Sequence, residues 1–70
     1  MDANKLRYYI ANRGRNISDL EKAIGISKTA LYRKMRGKTE FTREEIQKII
    51  DYLGLSDAET IEIFFGPEVS

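Results

Sequence analysis

The sequence predicts an all-α fold, a compact bundle of four or five short helices. Three observations predict it. Glycines at 14, 25, 37, 54 and 66 cut the chain into helix-length pieces, as glycine does just past a helix end. Within the pieces, apolar residues recur at helical spacing and no convincing alternating strand pattern is found. Good N-cap residues, Asn16, Ser27, Thr42 and Ser56, stand in front of four of them, and the only proline, Pro67, interrupts none.

The first helix is expected over Ala3–Asn12, with Leu6, Tyr9 and Ile10 on one face. The second, Ile17–Ile24, follows the Asn16 cap, has Asp19 beside the positive end of the helix dipole and turns Ile17, Leu20 and Ile24 inward. The third, 28–36, is capped by Ser27 and points Leu31 and Met35 inward. The fourth opens on the capping box Thr42-Arg43-Glu44-Glu45 and runs to Leu53, with Ile46, Ile49, Ile50 and Leu53 on its apolar face. The fifth opens on a second capping box, Ser56-Asp57-Ala58-Glu59, and carries Ile61, Phe64 and Phe65. Two adjacent phenylalanines cannot share one inward stripe. One of them is expected to face a dimer partner or to fold under the tail at 66–70. Tyr8, Tyr9 and Tyr52 are expected at the edge of the core.

A chain of 70 residues reads as one domain, 1–70, with a helix-turn-helix at about 17–36. A domain this small buries only roughly 60% of the surface of its unfolded chain. With no cysteine, neither disulfides nor a thiolate metal site can supplement its core. Helix packing, helped by dimerisation, has to hold it. Histidine is also absent, which removes the commonest general base and zinc ligand. The carboxylates form no paired or phosphate-cradling pattern, and a small helical bundle has little room for an enclosed pocket. The expectation is therefore no enzyme, no catalytic residue, no metal, no cofactor and no small-molecule ligand. No apolar run approaches the roughly 18 residues of a membrane span, so no membrane association is expected and the expected location is the cytoplasm.

The net charge of +1 hides an asymmetry. Residues 1–38 hold ten Lys and Arg against three acids, net +7, whereas residues 39–70 hold two against eight, net −6. Such a split suggests a face that binds a polyanion and a back that repels it; chance and ordinary solvated helix surfaces are the plain alternative.

Helices two and three are joined only by Gly25-Ile26-Ser27, a glycine ending one helix and an N-cap starting the next. So short a joint turns the chain sharply, and Ile26 should plug the corner between the helices. Here the sequence resembles the Cro and repressor-type helix-turn-helix family. The run Leu20-Glu21-Lys22-Ala23-Ile24-Gly25-Ile26-Ser27, then Leu31 and Gly37, follows that family's spacing. Upstream the likeness takes in Leu6, Gly14 and Asn16. Downstream, Phe41-Thr42-x-x-Glu45-Ile46, Leu53-x-Leu55 and Glu62-Ile63-x-Phe65 look like small Cro-like proteins of phages infecting Gram-positive bacteria. The resemblance spans about residues 6–65. It departs at three places. Glu21 stands where the family usually has Ala, and Ile17 where it often has Gln. Ile10 and Met35 occupy positions where members often pair an Arg with a Glu, so a polar tie becomes an apolar contact, a change that need not cost stability.

The resemblance implies a lambda-repressor-like DNA-binding domain whose third helix enters the major groove of double-stranded DNA. With Leu31 and Met35 inward, the outward residues are Lys28, Thr29, Tyr32, Arg33 and Arg36. Lys28, Thr29, Tyr32 and Arg33 are the expected base contacts, Arg33 having the fork that fits guanine O6 and N7. Asn16, Arg36 and Lys38 match positions that touch the phosphate backbone in the family, and Arg43, Arg13 and Arg15 are further phosphate candidates. The expected function is a sequence-specific repressor that reads a pseudo-palindromic operator as a homodimer, with Phe64, Phe65 and the tail at its interface. Two alternatives stay open: an antitoxin-type autorepressor, and a helical protein-interaction module without DNA binding whose working surface is the acidic helices four and five.

Overall fold

Each helix begins at a side chain that closes its first turn. Asp2, Asn16, Ser27, Thr42 and Ser56 accept from the backbone N–H three residues on, at Lys5, Asp19, Ala30, Glu45 and Glu59, over 2.9–3.1 Å. Both capping boxes are complete, with Glu45 and Glu59 accepting in return from the Thr42 and Ser56 N–H at 2.9 Å. The structure, a computed structural model, describes residues 1–66. Its elements are α1 (Ala3–Asn12), α2 (Ile17–Ile24), α3 (Lys28–Met35), α4 (Arg43–Leu53) and α5 (Asp57–Thr60), the last running directly into a π-helical turn, Ile61–Phe65. The fold is all-α. Among the described residues no helix is long and apolar enough to cross a membrane. The part of the expected dimer contact that falls beyond residue 66 lies outside the described residues.

One side-chain stripe from each longer helix meets in the centre. Leu6 and Ile10 of α1, Leu20 and Ile24 of α2, Leu31 and Met35 of α3, Ile49 and Leu53 of α4, then Leu55 and Ile63, form one buried cluster. Burying one such side chain is worth about 1.5–3 kcal/mol. Ile10 and Met35 are both 4% exposed in it, so these two positions are part of the apolar core. α2 packs mainly on α4, and α1 on the π turn. The Asp2 N–H donates to the Ile63 carbonyl at 2.7 Å, which ties the start of α1 to that turn.

The end of the chain departs from the expected register. The regular helical spacing singled out Ile61, Phe64 and Phe65, yet Ile63 is the residue fully buried while Ile61 is 54% and Phe65 64% exposed. The cause is the winding. A π turn bonds i to i+5 and holds more residues per turn than an α-helix, so the apolar stripe rotates away from positions set by 3.6 residues per turn. Phe64 is half-buried and meets Phe41 edge-on, leaving Phe65 as the outward member of the pair. Tyr8 also differs from its expected place at the core's edge: it is 61% exposed, whereas Tyr9 and Tyr52 do pack there.

Candidate nucleic-acid interface

The turn between α2 and α3 is built by backbone geometry. Gly25 adopts φ +82, and the N–H groups of Gly25 and Ile26 both donate to the Glu21 carbonyl, at 2.8 and 3.2 Å. A side chain at Gly25 would be strained in this left-handed conformation whatever space surrounds it. Ile26 is half-buried against the core, at the corner between the two helices. Ser27 then caps α3 through the Ala30 N–H. At the far end, Gly37 at φ +81 lets the Lys38 N–H return to the Arg33 carbonyl at 3.0 Å. α3 is thus closed at both ends, and Leu31 at 0% and Met35 at 4% exposure seat it on the core.

With that face down, Lys28, Thr29, Arg33, Arg36 and Lys38 are exposed and Tyr32 is half-exposed. No acidic residue occurs from Lys28 to Lys38. The ammonium of Lys28 lies 5.8 Å from the centroid of the Tyr32 ring, so these two side chains lean together along the helix. Among the described residues, Lys28, Arg33, Arg36, Lys38 and Arg43 have no carboxylate partner within ion-pair distance. Their donors are free for another acceptor.

Lys34, in the middle of the same basic run, behaves differently. It lies three residues after Leu31 and so shares its side of the helix. Its ammonium meets Glu45 at 3.0 Å, donates to the Glu40 carbonyl at 3.1 Å and sits 5.9 Å from the Phe41 ring centroid. Both partners of the ion pair are about 15% exposed. Burial pushes the Glu45 carboxyl up, but the Thr42 N–H and Lys34 together hold it below its ordinary value. Lys34 therefore clamps the base of α3 to the capped start of α4. The sequence reading passed over it, although its spacing from Leu31 was a usable signal.

The loop between α1 and α2 separates two arginines expected to act alike. Arg13 gives one guanidinium nitrogen, Nη2, to both oxygens of Glu59, at 2.7 and 2.8 Å, with its guanidinium 5.1 Å over the Tyr9 ring. The hydrogen bond with Arg13 is the main cause that lowers the Glu59 pKa, and the same bond raises that of Arg13. Arg15 also lies over a ring, its guanidinium 5.0 Å from the Tyr52 centroid, but it is exposed and has no carboxylate partner among the described residues. Asn16 beside it is occupied locally, with Oδ1 capping the Asp19 N–H and Nδ2 donating to the Asp19 carboxylate at 3.1 Å. Arg43, at the start of α4, lines an apolar groove with Ile46, Gln47, Ile50, Thr60 and Phe65.

What the arrangement offers is a rigid helix with a row of unpaired cationic and hydroxyl donors, flanked by a capped helix start and a second free arginine. This is a surface for a polyanion with hydrogen-bond acceptors along it. A family model described as the Cro/C1-type HTH DNA-binding domain matches residues 5–64. No curated protein and no solved structure matches the chain.

Proposed function

We propose, from the premise that this chain belongs to the Cro/C1-type helix-turn-helix DNA-binding family, that it is a sequence-specific repressor of the small phage type. It works in the bacterial cytoplasm, without a catalytic role, and binds a pseudo-palindromic operator. The carrying observation is the outward face of α3, where Lys28, Thr29, Arg33, Arg36 and Lys38 are exposed and have no carboxylate partner among the described residues, on a helix fixed at both ends.

In this reading α3 lies in the major groove. Arg33 presents two parallel N–H donors to guanine O6 and N7, and Lys28 and Thr29 meet neighbouring base edges. Tyr32 packs on a thymine methyl beside Lys28. Arg36 and Lys38, with Arg15 and Asn16 at the start of α2, hold phosphates and set the register. Arg13 is assigned to the brace with Glu59 rather than to a phosphate.

One α3 reads only a few base pairs, and a two-fold dimer places two of them about 34–36 Å apart. The surface that suits a second copy runs across Phe65, Ile46 and Ile50 on one side and Phe41 and Phe64 on the other. Phe65 is 64% exposed at its centre. Glu40 lines one of these grooves and Arg43 the other, so the surface offers a second copy charges of both signs. Arg43 then serves the dimer. Occlusion of a promoter by the bound dimer gives repression.

Selection from a random duplex pool at moderate salt tests the reading. An enriched inverted repeat, bound more weakly and less selectively by Arg33→Ala, supports it. Failure to enrich any sequence rejects it. Sedimentation of Phe65→Glu tests the interface: a monomer that no longer binds the full repeat is expected, and an unchanged dimer rules this surface out.

A further inference from the structure

We infer that Tyr52 is a positioning residue for DNA binding: its ring is the platform that aims Arg15 at a phosphate. The inference rests on the DNA-binding reading above and adds to it a residue of α4, a helix with no assigned contact to DNA.

Arg13 and Arg15 flank Gly14 and each sets its guanidinium over a tyrosine ring, 5.1 Å from the centroid of Tyr9 and 5.0 Å from that of Tyr52. Only Arg13 has a carboxylate as well. Among the described residues no hydrogen bond or ion pair takes up the Arg15 guanidinium, so its N–H donors are unused. Arg15 therefore rests against the Tyr52 ring with its donors open, and such a guanidinium can meet a pair of phosphate oxygens. Its backbone is fixed too: the Arg15 N–H donates to the Ile10 carbonyl at 2.9 Å, and the next residue, Asn16, caps α2. A free arginine would have to be ordered on binding, whereas one resting on a half-buried ring is already confined.

The tyrosine hydroxyl has no part in this. Tyr52 Oη is buried and has no hydrogen-bond partner among the described residues. The ring, not the hydroxyl, is the functional part, so phenylalanine should replace it without loss.

A double-mutant cycle on the selected duplex tests the inference. Tyr52→Phe should bind as the wild type does. Tyr52→Leu should weaken binding about three- to tenfold, while Arg15→Ala lowers the slope of log affinity against log salt by about 0.9. In the Arg15→Ala background, Tyr52→Leu should cost nothing further. An equal loss in both backgrounds overturns the inference, because it marks a merely structural role. Thermal melts check that each variant is folded. Should Tyr52→Leu not fold, Tyr52→Met offers a longer, adaptable apolar side chain without the ring face, and the Arg15 side-chain N–H resonance supplies a readout without DNA. That resonance should be ring-shifted in wild type and in Tyr52→Phe; an unshifted resonance in wild type overturns the platform. A wild type that selects no duplex sinks the DNA-binding reading and this inference together, whereas a wild type that binds, with additive effects of the two sites, sinks this inference alone.

Discussion

The outward face of α3 and the seam between α1 and the end of the chain use the same residue types for opposite purposes. On α3, Lys28, Arg33 and Arg36, with Lys38 just beyond, point to solvent with no acid within reach among the described residues. Along the seam, Lys5 pairs with Glu62 at 2.8 Å and Arg13 with Glu59 at 2.7 Å, in both cases joining the basic half of the sequence to the acidic half. Lys34 does the same to Glu45. Of the ten bases in residues 1–38, these three pair with acids of the other half, and the other seven have no carboxylate partner among the described residues. The acidic half is thus more than a repelling back. It supplies the partners that brace the helices, and the bases it leaves unpaired include the row on α3.

The sharpest way to break the comparison is to remove what carries the α3 face. Leu31 is fully buried, and Leu31→Ala should cost about 2–5 kcal/mol of stability. Urea unfolding should show that loss, with DNA binding lost alongside. A loss under about 1 kcal/mol would mean that α3 is not seated on the core as described.

A smaller effect should separate binding from folding. Arg33→Ala should cost about 1–3 kcal/mol of binding to the selected duplex, roughly 5- to 150-fold, and relax the preference at one base pair. Its melting temperature should stay near that of the wild type. Arg13→Ala should give the mirror image, with a lower melting temperature and unchanged affinity per folded molecule. If Arg13→Ala also lowers the salt dependence of binding, Arg13 touches DNA and the division drawn here fails.

The braces, unlike the α3 face, should respond to acid. Glu59 and Glu45 have lowered pKa values in the folded protein. Their stabilisation is complete above the unfolded glutamate value of about 4.3 and is lost as pH falls through the lower folded values. Melting temperature should therefore drop steeply only below about pH 4, and the Glu45→Gln, Glu59→Gln double variant should lack part of that slope. The raised pKa of Lys5 has the opposite sign, contributing stability that disappears only as pH rises beyond its ordinary alkaline range. An identical acid profile for the double variant and wild type would show that the ion pairs do not stabilise the fold.

The smallest effect belongs to single phosphate contacts. Lys38→Ala should weaken binding to all duplexes evenly and lower the log–log salt slope by about 0.9. A change of base preference instead would place Lys38 at a base edge.

Much of the fold was legible because its determinants are local. A cap and its amide lie three residues apart, and apolar stripes repeat within a single helix, so the bounds of α1 and α2 could be read from neighbours alone. The exposure of Lys28, Thr29 and Arg33 followed from the same spacing once Leu31 and Met35 were placed inward. The π turn was not legible, since nothing in Ile61-Glu62-Ile63-Phe64-Phe65 announces a change of winding. Nor were the different fates of Arg13 and Arg15, one residue apart from Gly14 on either side.

By itself, then, the sequence determined the first four helices, the caps at Asn16, Ser27, Thr42 and Ser56, the sharp turn at Gly25 and which side of α3 faces outward, all of them consequences of contacts within a few residues. Only the tertiary structure decided which bases are braces and which are free. Arg13 meets Glu59 across 46 residues and Lys5 meets Glu62 across 57. Whether two charges so far apart along the chain come within 3 Å depends on how the helices pack, and the buried apolar stripes set that packing with no reference to the charges it brings together.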